Sequence, residues 1–256
     1  MTDQSSVGLV LGGGAALGAA HAGVLQALDE AGARFDVIAG TSAGAIVGGG
    51  YAAGITAAQL VQLVLGARFS SFATFQFQPR WGLFDTTVME RSIEEVVGPL
   101  RIEQLERPFG ALAFDLRRRQ PVLLTTGPLS TALRASSAVP GLFPPVTVGG
   151  QLLVDGAVAD NVPVFAAHLL GAQSVVAVDL TADTSNRPAT RLATVARAAF
   201  LGQNRDTRPA DVIIRPRTEG LSRWSPVDVA QLVSLGRAAV EENWADIAAL
   251  LAQGDN

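Results

Sequence analysis

Ser42 is the residue best suited to nucleophilic chemistry, because it lies in the pentapeptide Gly40–Gly44 with the spacing Gly-x-Ser-x-Gly. In a nucleophile elbow of this kind, a strained turn between a strand and a helix exposes the serine, and the flanking glycines admit neighbouring backbone. The apolar run Phe35–Ala39 before the motif and the small residues after it agree with that context. The alternative is an N-cap serine that begins a helix. The two interpretations are compatible, because the helix dipole favours the alkoxide form of a serine at its N-terminus.

A serine nucleophile needs a base, and Asp155 is the preferred candidate. It ends the apolar run Leu152–Val154 and precedes Gly156, which lets another chain segment approach. Strand ends are where α/β folds place their sites, and a carboxylate within hydrogen-bond reach can take the serine proton directly. The alternative is an ordinary turn aspartate, since Asp-Gly is a common turn signal.

The chain has 2 histidines, and both are less suited to the role of base. His21 follows a glycine loop within a predicted helix, so we interpret it as a residue that packs or bonds locally. His168 follows Ser42 and Asp155 in the order Ser, Asp, His, but it falls well inside a helix that begins near Pro163. A Ser42–Asp155 dyad is therefore preferred over a triad that includes His168.

A glycine-rich loop follows the first predicted strand, with Gly12, Gly13 and Gly14 in succession and Gly18 shortly after them. Its backbone N–H groups are unobstructed by side chains and suit an oxyanion or a phosphate. A dinucleotide-binding fold uses a similar loop, with an acidic residue about 20 positions further on that holds the ribose. Asp36 lies near that range, so nucleotide binding stays open as an alternative.

Alternating strands and helices must position these residues. Short apolar runs predict strands at Val7–Leu11, Phe35–Ala39, Phe109–Leu116, Pro121–Thr125, Val148–Val154, Ser174–Leu180 and Val212–Ile214. Helical spacing predicts helices at Ala16–Ala31, from the elbow to about Gly54, and at Thr56–Ala67, Thr86–Val97, Pro163–Leu170, Ala189–Leu201 and Val227–Ala252, whereas the proline-rich block Val139–Val146 is expected to be irregular. This alternation predicts an α/β fold with a mostly parallel sheet covered on both sides. Because no internal repeat or linker interrupts it, we predict one domain over residues 1–256.

Composition narrows the function classes. The chain has 256 residues and a net charge of −4, and all of its 19 cationic residues are arginines, so a nucleic-acid partner is not expected. Cysteine is absent, which excludes disulfides, thiol nucleophiles and thiolate metal sites. The polar N-terminus lacks a secretory signal, and no apolar stretch reaches the length of a bilayer span. We therefore expect a cytoplasmic protein whose membrane contact is at most peripheral.

An aromatic segment at about 69–85 carries 5 of the 11 phenylalanines of the chain. Its aromatic residues are Phe69, Phe72, Phe75, Phe77, Trp81 and Phe84. Partly exposed aromatic side chains favour a membrane–water boundary, so the segment is a candidate lid or acyl pocket. Ordinary core packing or a dimer contact is the alternative. The run Arg117–Arg119 is interpreted as a solvated turn rather than a head-group site.

Four blocks in a fixed order resemble the patatin-like phospholipase family across nearly the whole chain. They are Val10–Gly18 with His21, the Gly40–Gly44 elbow, Ala135–Gly141 with Phe143–Pro145, and Asp155–Ala157 with Asn161 and Pro163. The resemblance implies a three-layer α/β/α fold with a mostly parallel central sheet. It also implies hydrolysis of acyl esters of lipids by a Ser42–Asp155 dyad without histidine, and no metal or organic cofactor.

The resemblance also places an oxyanion hole in the glycine loop. The predicted donors are the amides of Gly12, Gly13, Gly14 and Ala15. The predicted supporting glycines are Gly18, Gly40, Gly44 and Gly156.

The chain departs from the family pattern at Ala15 and Leu17, where members typically have a glycine and an arginine or lysine. Alanine keeps its N–H but tolerates fewer dihedral angles than glycine. Loss of the cation removes a charge that could organise the loop or meet a phosphate. The departure bears on rate and head-group preference, and it supports an alternative function as a catalytically weakened lipid-binding or regulatory relative.

Overall fold

The computed structural model describes residues 6–67, 74–78, 82–181, 208–221 and 228–254. The strands within these ranges are β1 (Val7–Leu11), β2 (Val37–Thr41), β3 (Thr74–Gln78), β4 (Gly82–Asp85), β5 (Phe109–Asp115), β6 (Gln120–Leu124), β7 (Val146–Val148), β8 (Gln151–Asp155), β9 (Ser174–Val178) and β10 (Val212–Ile214). The α-helices are α1 (Ala19–Glu30), α2 (Ala43–Ala52), α3 (Ala57–Gly66), α4 (Thr87–Val97), α5 (Leu129–Ser136), α6 (Val164–Leu169) and α7 (Val229–Gly254). Short 3-10 turns lie at Ala15–Gly18, Ile102–Gln104 and Gly156–Val158.

One mixed sheet organises the described part of the chain. Its strands lie in the order β10-β9-β1-β2-β5-β8-β7, and β6 also pairs with β5. The run from β10 to β5 is parallel, whereas β6, β7 and β8 join through antiparallel pairs. The prediction of a mostly parallel sheet is therefore confirmed. β3 and β4 form a separate antiparallel hairpin, and Arg117–Arg119 lie in the exposed turn between β5 and β6.

Helices cover both faces of the main sheet, because its central strands are apolar on both sides. In β1, Leu9 and Leu11 belong to the larger core, which includes residues of α1, α2, α5 and α7. Val10 belongs to the smaller core, where Ala166 and Ala167 of α6 pack. The sheet is thus the middle layer of three.

Two helices, α1 and α7, pack with their backbones almost in contact. A Cβ atom at Gly23 of α1 would lie 2.0 Å from the carbonyl oxygen of Val233. A Cβ atom at Gly236 of α7 would lie 2.1 Å from the carbonyl oxygen of Ala20. No side chain fits at either position, so glycine is required for this approach. Although α7 spans 26 residues, none of the described helices is both long and apolar enough to cross a bilayer.

The segment before Asp155 differs from the sequence-based expectation. The strand predicted at Val148–Val154 is a hairpin of β7 and β8, with a turn at Gly149 and Gly150. These glycines have φ angles of 56° and 78°, and two consecutive positive φ angles are what a type I′ hairpin turn requires. The irregular proline-rich block correspondingly ends one residue early, because Val146 begins β7.

Two of the predicted features fall partly or wholly outside the described residues. The helix expected at Ala189–Leu201 is one of them. In the aromatic segment, Phe69, Phe72 and Trp81 are outside the description, and only the backbone of β3 and β4 is described. The lid or acyl pocket therefore stays a prediction.

Candidate active site

Ser42 occupies a sharp turn between β2 and α2. Its φ and ψ angles are 53° and −123°, a conformation that a residue other than glycine adopts only when its surroundings enforce it. Ser42 directly precedes the first residue of α2, but its side chain makes no capping hydrogen bond to the helix. The hydroxyl therefore does not serve as an N-cap.

Small residues around Ser42 allow separate backbone segments to meet at the turn. At each of the predicted supporting positions Gly18, Gly40 and Gly44, an added Cβ atom would have a neighbouring atom within 2.7 Å. The closest contact is at Gly44, where the Cβ atom would lie 2.1 Å from the carbonyl oxygen of Leu11. These glycines are needed for space, and they let the elbow pack directly against the end of β1.

Asp155 reaches Ser42 along one edge of β5. β2 pairs with the first part of β5, and its last residue, Thr41, lies opposite Leu112. β8 pairs with the second part of β5, and Asp155 lies opposite Ala113. Because β6 occupies the other edge of β5, β2 and β8 share an edge and end at adjacent positions on it. This arrangement brings the residue after Thr41 next to Asp155.

The Asp155 carboxylate is buried, with 3% of the residue exposed. It accepts hydrogen bonds from the Ser42 hydroxyl and from the Ala157 amide, the latter at 2.8 Å. Burial raises the pKa of Asp155 to about 6, although both hydrogen bonds act to lower it. The close approach of this segment to β5 requires Gly156, where a Cβ atom would lie 2.2 Å from the Leu112 carbonyl oxygen. The site thus holds a carboxylate that is ionised at pH 7 and more basic than usual, in contact with a hydroxyl.

The glycine loop after β1 is held by hydrogen bonds from two other segments. The Gly12 N–H donates to the Val178 carbonyl at the end of β9, at 2.9 Å. The Gly13 N–H donates to the Asn161 carbonyl at 3.0 Å, and the Asn161 side-chain amide donates back to the Gly13 carbonyl at 3.1 Å. Both of these loop amides therefore already have protein acceptors.

The next two loop residues, Gly14 and Ala15, donate no backbone hydrogen bond within the described part of the chain. Ala15 has a φ angle of 51°. For alanine this left-handed conformation costs about 1–2 kcal/mol, a penalty that glycine does not have. The departure from the family pattern at Ala15 therefore coincides with a strained backbone position.

His21 in α1 is fully buried and bonds to the glycine loop. Its Nε2 lies 2.7 Å from the Gly12 carbonyl oxygen, so this nitrogen carries the proton and donates it. Burial lowers the pKa of His21 to about 4, even though the bond to Gly12 acts to raise it, and the ring is neutral at pH 7. The structure thus gives His21 the local bonding role that the sequence suggested.

His168 was the alternative base and Asp36 the candidate ribose ligand, and both side chains make contacts away from those roles. The His168 Nδ1 lies 2.8 Å from the Ala172 carbonyl oxygen, a local contact just after α6. The Asp36 carboxylate accepts a hydrogen bond from the Val7 N–H at 2.7 Å, at the start of β1. Asp36 is therefore at the opposite end of β1 from the glycine loop and cannot hold a ribose bound there. Among the described residues, His168 has no hydrogen bond to Ser42.

A segment to which the sequence assigned no role contacts the backbone of both Ser42 and Asp155. The Ser136 hydroxyl accepts a hydrogen bond from the Ser42 N–H at 3.0 Å. The Ala138 carbonyl accepts one from the Asp155 N–H at 2.9 Å. Both residues belong to the block Ala135–Gly141, and the match of this block to the family pattern was the sequence signal for them. The contacts themselves join residues that are far apart in the chain, so the sequence did not show what the block does.

Comparison with known protein sequences gives matches that cover this site. A family model described as patatin-like phospholipase matches residues 9–168. An uncharacterized NTE family protein of Mycobacterium tuberculosis is 38% identical over 179 residues, which cover 68% of this chain and 49% of that protein. Lysophospholipase NTE1 of Mycosarcoma maydis is 35% identical over 192 residues, which cover 71% of this chain and 10% of that protein. The match therefore spans about half of the mycobacterial relative and a small part of the fungal one.

Two solved structures are similar in fold. VipD from Legionella pneumophila has a TM-score of 0.64 at 12% sequence identity, with 96% of this chain and 67% of the VipD chain covered. The type III effector protein ExoU has a TM-score of 0.52 at 14% identity, with 98% of this chain and 53% of the ExoU chain covered. At such identities the likeness concerns the arrangement of sheet and helices alone.

Proposed function

The chain belongs to the patatin-like phospholipase family, and we propose that it hydrolyses fatty-acyl ester bonds of phospholipids or related lipids, with Ser42 as nucleophile and Asp155 as base. The observation that carries the proposal is the hydrogen bond from Ser42, at its strained turn, to the buried Asp155. A hydroxyl in contact with a properly placed base is what nucleophilic acyl transfer requires. The relatives named lysophospholipase support a lipid ester as the substrate class.

In the first half-reaction, the Ser42 Oγ attacks the ester carbonyl carbon while its proton passes to Asp155. The π electrons of the carbonyl move onto its oxygen and form a tetrahedral oxyanion. When this intermediate collapses, the bond to the alcohol oxygen breaks, and Asp155 returns the proton to the departing alkoxide. A base with a pKa near 6 suits both transfers, because it is ionised at pH 7 and still binds a proton more strongly than an ordinary carboxylate.

In the second half-reaction, water releases the acyl group from Ser42. Asp155 takes one proton from the water as its oxygen attacks the acyl carbon. The bond to the Ser42 Oγ then breaks, the fatty acid leaves, and Ser42 regains its proton from Asp155. The same carboxylate therefore serves both halves of the cycle, and no histidine is needed.

Backbone amides of the glycine loop stabilise the oxyanion in this proposal. Because the Gly12 and Gly13 amides already donate to protein carbonyls, the predicted donors narrow to Gly14 and Ala15. The N-terminus of α2, directly after Ser42, adds the positive end of a helix dipole next to the nucleophile. Loss of one oxyanion donor typically lowers kcat by about 10²–10³-fold, so the conformation of this loop bears strongly on rate.

We also propose that residues 1–256 act as one domain. The family model ends at residue 168, yet β9 and β10 beyond it extend the same sheet next to β1. The close approach of α7 to α1 joins the two ends of the described chain in a single core. A proteolytic fragment that ends near residue 168 should therefore lose cooperative unfolding.

Replacement of Ser42 tests the proposed function directly. Ser42→Ala should lower nitrophenol release from short acyl esters by about 10³-fold or more, because the covalent step loses its nucleophile. Asp155→Asn should do the same and leave the protein folded. Ser174→Ala, at the start of β9 and therefore at the other end of the sheet, is the matched control and should keep full activity. Turnover retained by folded Ser42→Ala protein contradicts the assignment.

A catalytically weakened lipid-binding relative is a second candidate, which the strained Ala15 favours. In that case Ser42 would not react with a fluorophosphonate probe, while the folded protein would still bind lipid vesicles. Labelling of the wild-type protein on Ser42 decides in favour of the hydrolase.

A further inference from the structure

The pairing of β2 with β5 stops at Ser42, where a side chain takes the place of the next strand-to-strand hydrogen bond. The Ile38 N–H donates to the Pro108 carbonyl at 2.9 Å. In a parallel pair these bonds recur every two residues along both strands. In the observed register, the Ser42 N–H would therefore bond to the Leu112 carbonyl if β2 continued.

The Ser136 hydroxyl stands between these two groups. It accepts a hydrogen bond from the Ser42 N–H at 3.0 Å and donates one to the Leu112 carbonyl at 2.6 Å. Ser136 is the last residue of α5 and is completely buried. The chain must leave the sheet at Ser42 to form the elbow, and the hydroxyl spans the gap that this departure opens. Both buried backbone groups are thereby satisfied.

We propose that Ser136 is a positioning residue for the reaction, whose hydroxyl holds the Ser42 amide and so keeps the Ser42 side chain directed at Asp155. The inference rests on the proposed function of this pair. On one side of Ser42, the amide is held by Ser136; on the other side, α2 is held against β1 at Gly44. The positive φ angle between these two fixed points has little freedom to relax.

A second serine on the same helix provides a matched control. Ser130 of α5 is also buried, with 4% of the residue exposed, and its hydroxyl donates to the Glu94 carboxylate of α4 at 2.8 Å. Ser130→Ala therefore removes a buried hydroxyl and a hydrogen bond from α5 without touching the elbow. A merely structural role for Ser136 predicts that the two alanine variants behave alike.

Steady-state kinetics of Ser136→Ala and Ser130→Ala form the first test. With a nitrophenyl ester as substrate, Ser136→Ala should lower kcat by about 10- to 100-fold and leave KM within about twofold, because the nucleophile shifts while the substrate site does not. The labelling rate with a fluorophosphonate probe should fall by a similar factor. Ser130→Ala should leave both rates within about twofold of the wild type. Equal kcat values for the two variants overturn the proposal.

Amide hydrogen exchange at Ser42 tests the hydrogen bond between the Ser42 N–H and the Ser136 hydroxyl without any turnover. The Ser42 amide should exchange at least about tenfold faster in Ser136→Ala than in the wild type, and at the wild-type rate in Ser130→Ala. An unchanged exchange rate of the Ser42 amide in Ser136→Ala overturns the proposal that Ser136 holds this amide. Absence of turnover and labelling in the wild-type protein instead overturns the proposed function, so the two failures are distinguishable.

Two conservative variants keep the proposal testable if Ser136→Ala does not fold. Ser136→Thr retains a hydroxyl, whereas the thiol of Ser136→Cys is a weak donor and acceptor. Ser136→Thr should therefore keep the higher kcat and the slower exchange at Ser42. The proposal is overturned if Ser136→Thr and Ser136→Cys have equal kcat values and equal exchange rates at Ser42, or if their order is reversed.

Discussion

Ser42 and Ala15 are both non-glycine residues with positive φ angles, 53° and 51°, and each lies where a strand gives way to helical structure. Their surroundings differ. Ser42 is 8% exposed, its amide is held by Ser136, and the glycines of the elbow bring backbone against it. Ala15 is partly exposed, and its amide has no backbone acceptor among the residues that the structure describes. Because more neighbouring groups hold Ser42 than Ala15, we expect the elbow to be the more rigid of the two turns.

This difference indicates how strain relates to chemistry in the two turns. At Ser42 the strain is enforced from several sides, and it presents the nucleophile to Asp155 in a fixed geometry. At Ala15 the strain lies in the loop whose free amides are proposed to receive the oxyanion. We therefore expect substitutions at the elbow to abolish activity and substitutions in the loop to modulate it.

The largest effect is expected at the elbow, from Gly44→Ala. The added Cβ atom would lie 2.1 Å from the Leu11 carbonyl oxygen, which belongs to the backbone and cannot move aside cheaply. We expect a loss of stability of about 3 kcal/mol and loss of labelling at Ser42, measured by urea unfolding and a fluorophosphonate probe. Gly66→Ala, at the end of α3 with no atom within 4 Å, is the control and should change stability by less than about 1 kcal/mol. Equal stability of the two variants would show that the elbow is not tightly packed.

A smaller effect is expected from pH, through Asp155. Since the base must be ionised and its pKa is about 6, kcat/KM should reach a plateau above pH 7 and fall about tenfold for each pH unit well below 6. The measurement is a pH profile with a nitrophenyl ester. Ala15→Gly should move the plateau but leave the midpoint unchanged, because in the described part of the chain no amide of the glycine loop is among the hydrogen-bond partners of this carboxylate. A midpoint near the ordinary aspartate value of 3.8 would contradict the raised pKa of Asp155.

The raised pKa of Asp155 affects stability in the direction opposite to its effect on activity. Folding raises the pKa of Asp155 from 3.8 to about 6, so the folded state binds the proton more tightly than the unfolded state. The contribution of this group to stability is therefore greatest below pH 3.8 and decreases as the pH rises through about 6. The activity lost at pH 5 should accordingly return when the pH is restored to 7.5, because titration of Asp155 does not unfold the protein.

The smallest effect is expected in the loop, from Ala15→Gly. Relief of the positive φ angle should raise stability by about 1 kcal/mol, and kcat should rise by less than about tenfold if the loop limits the reaction. Ala16→Gly is the matched control, because Ala16 is the next residue and does not have a positive φ angle. It should lower stability by about 0.5–1 kcal/mol. The same sign for both variants in thermal unfolding would show that Ala15 is not strained.

Much of the fold was predictable because its signals are local. β1 and β2 are each marked by an apolar run that stops at a glycine-rich turn. The observed β2 begins and ends two residues later than the predicted strand. α5 was missed because Leu129–Ser136 is short and contains serine and threonine, which resemble a turn. The pair Gly149-Gly150 is a hairpin signal, but the strands on either side of it are so short that the segment also fits a single strand, as was predicted.

The sequence by itself determined a serine between a strand and a helix, and an aspartate at a strand end, because each motif is consecutive in the chain. Only the tertiary structure decided that the two meet, since β2 and β8 become neighbours through the shared edge of β5. It also decided which loop amides are already occupied. The contact between Ser136 and the Ser42 amide, 94 residues apart, leaves no periodic trace in the sequence, because a single hydrogen bond depends on where two distant elements pack.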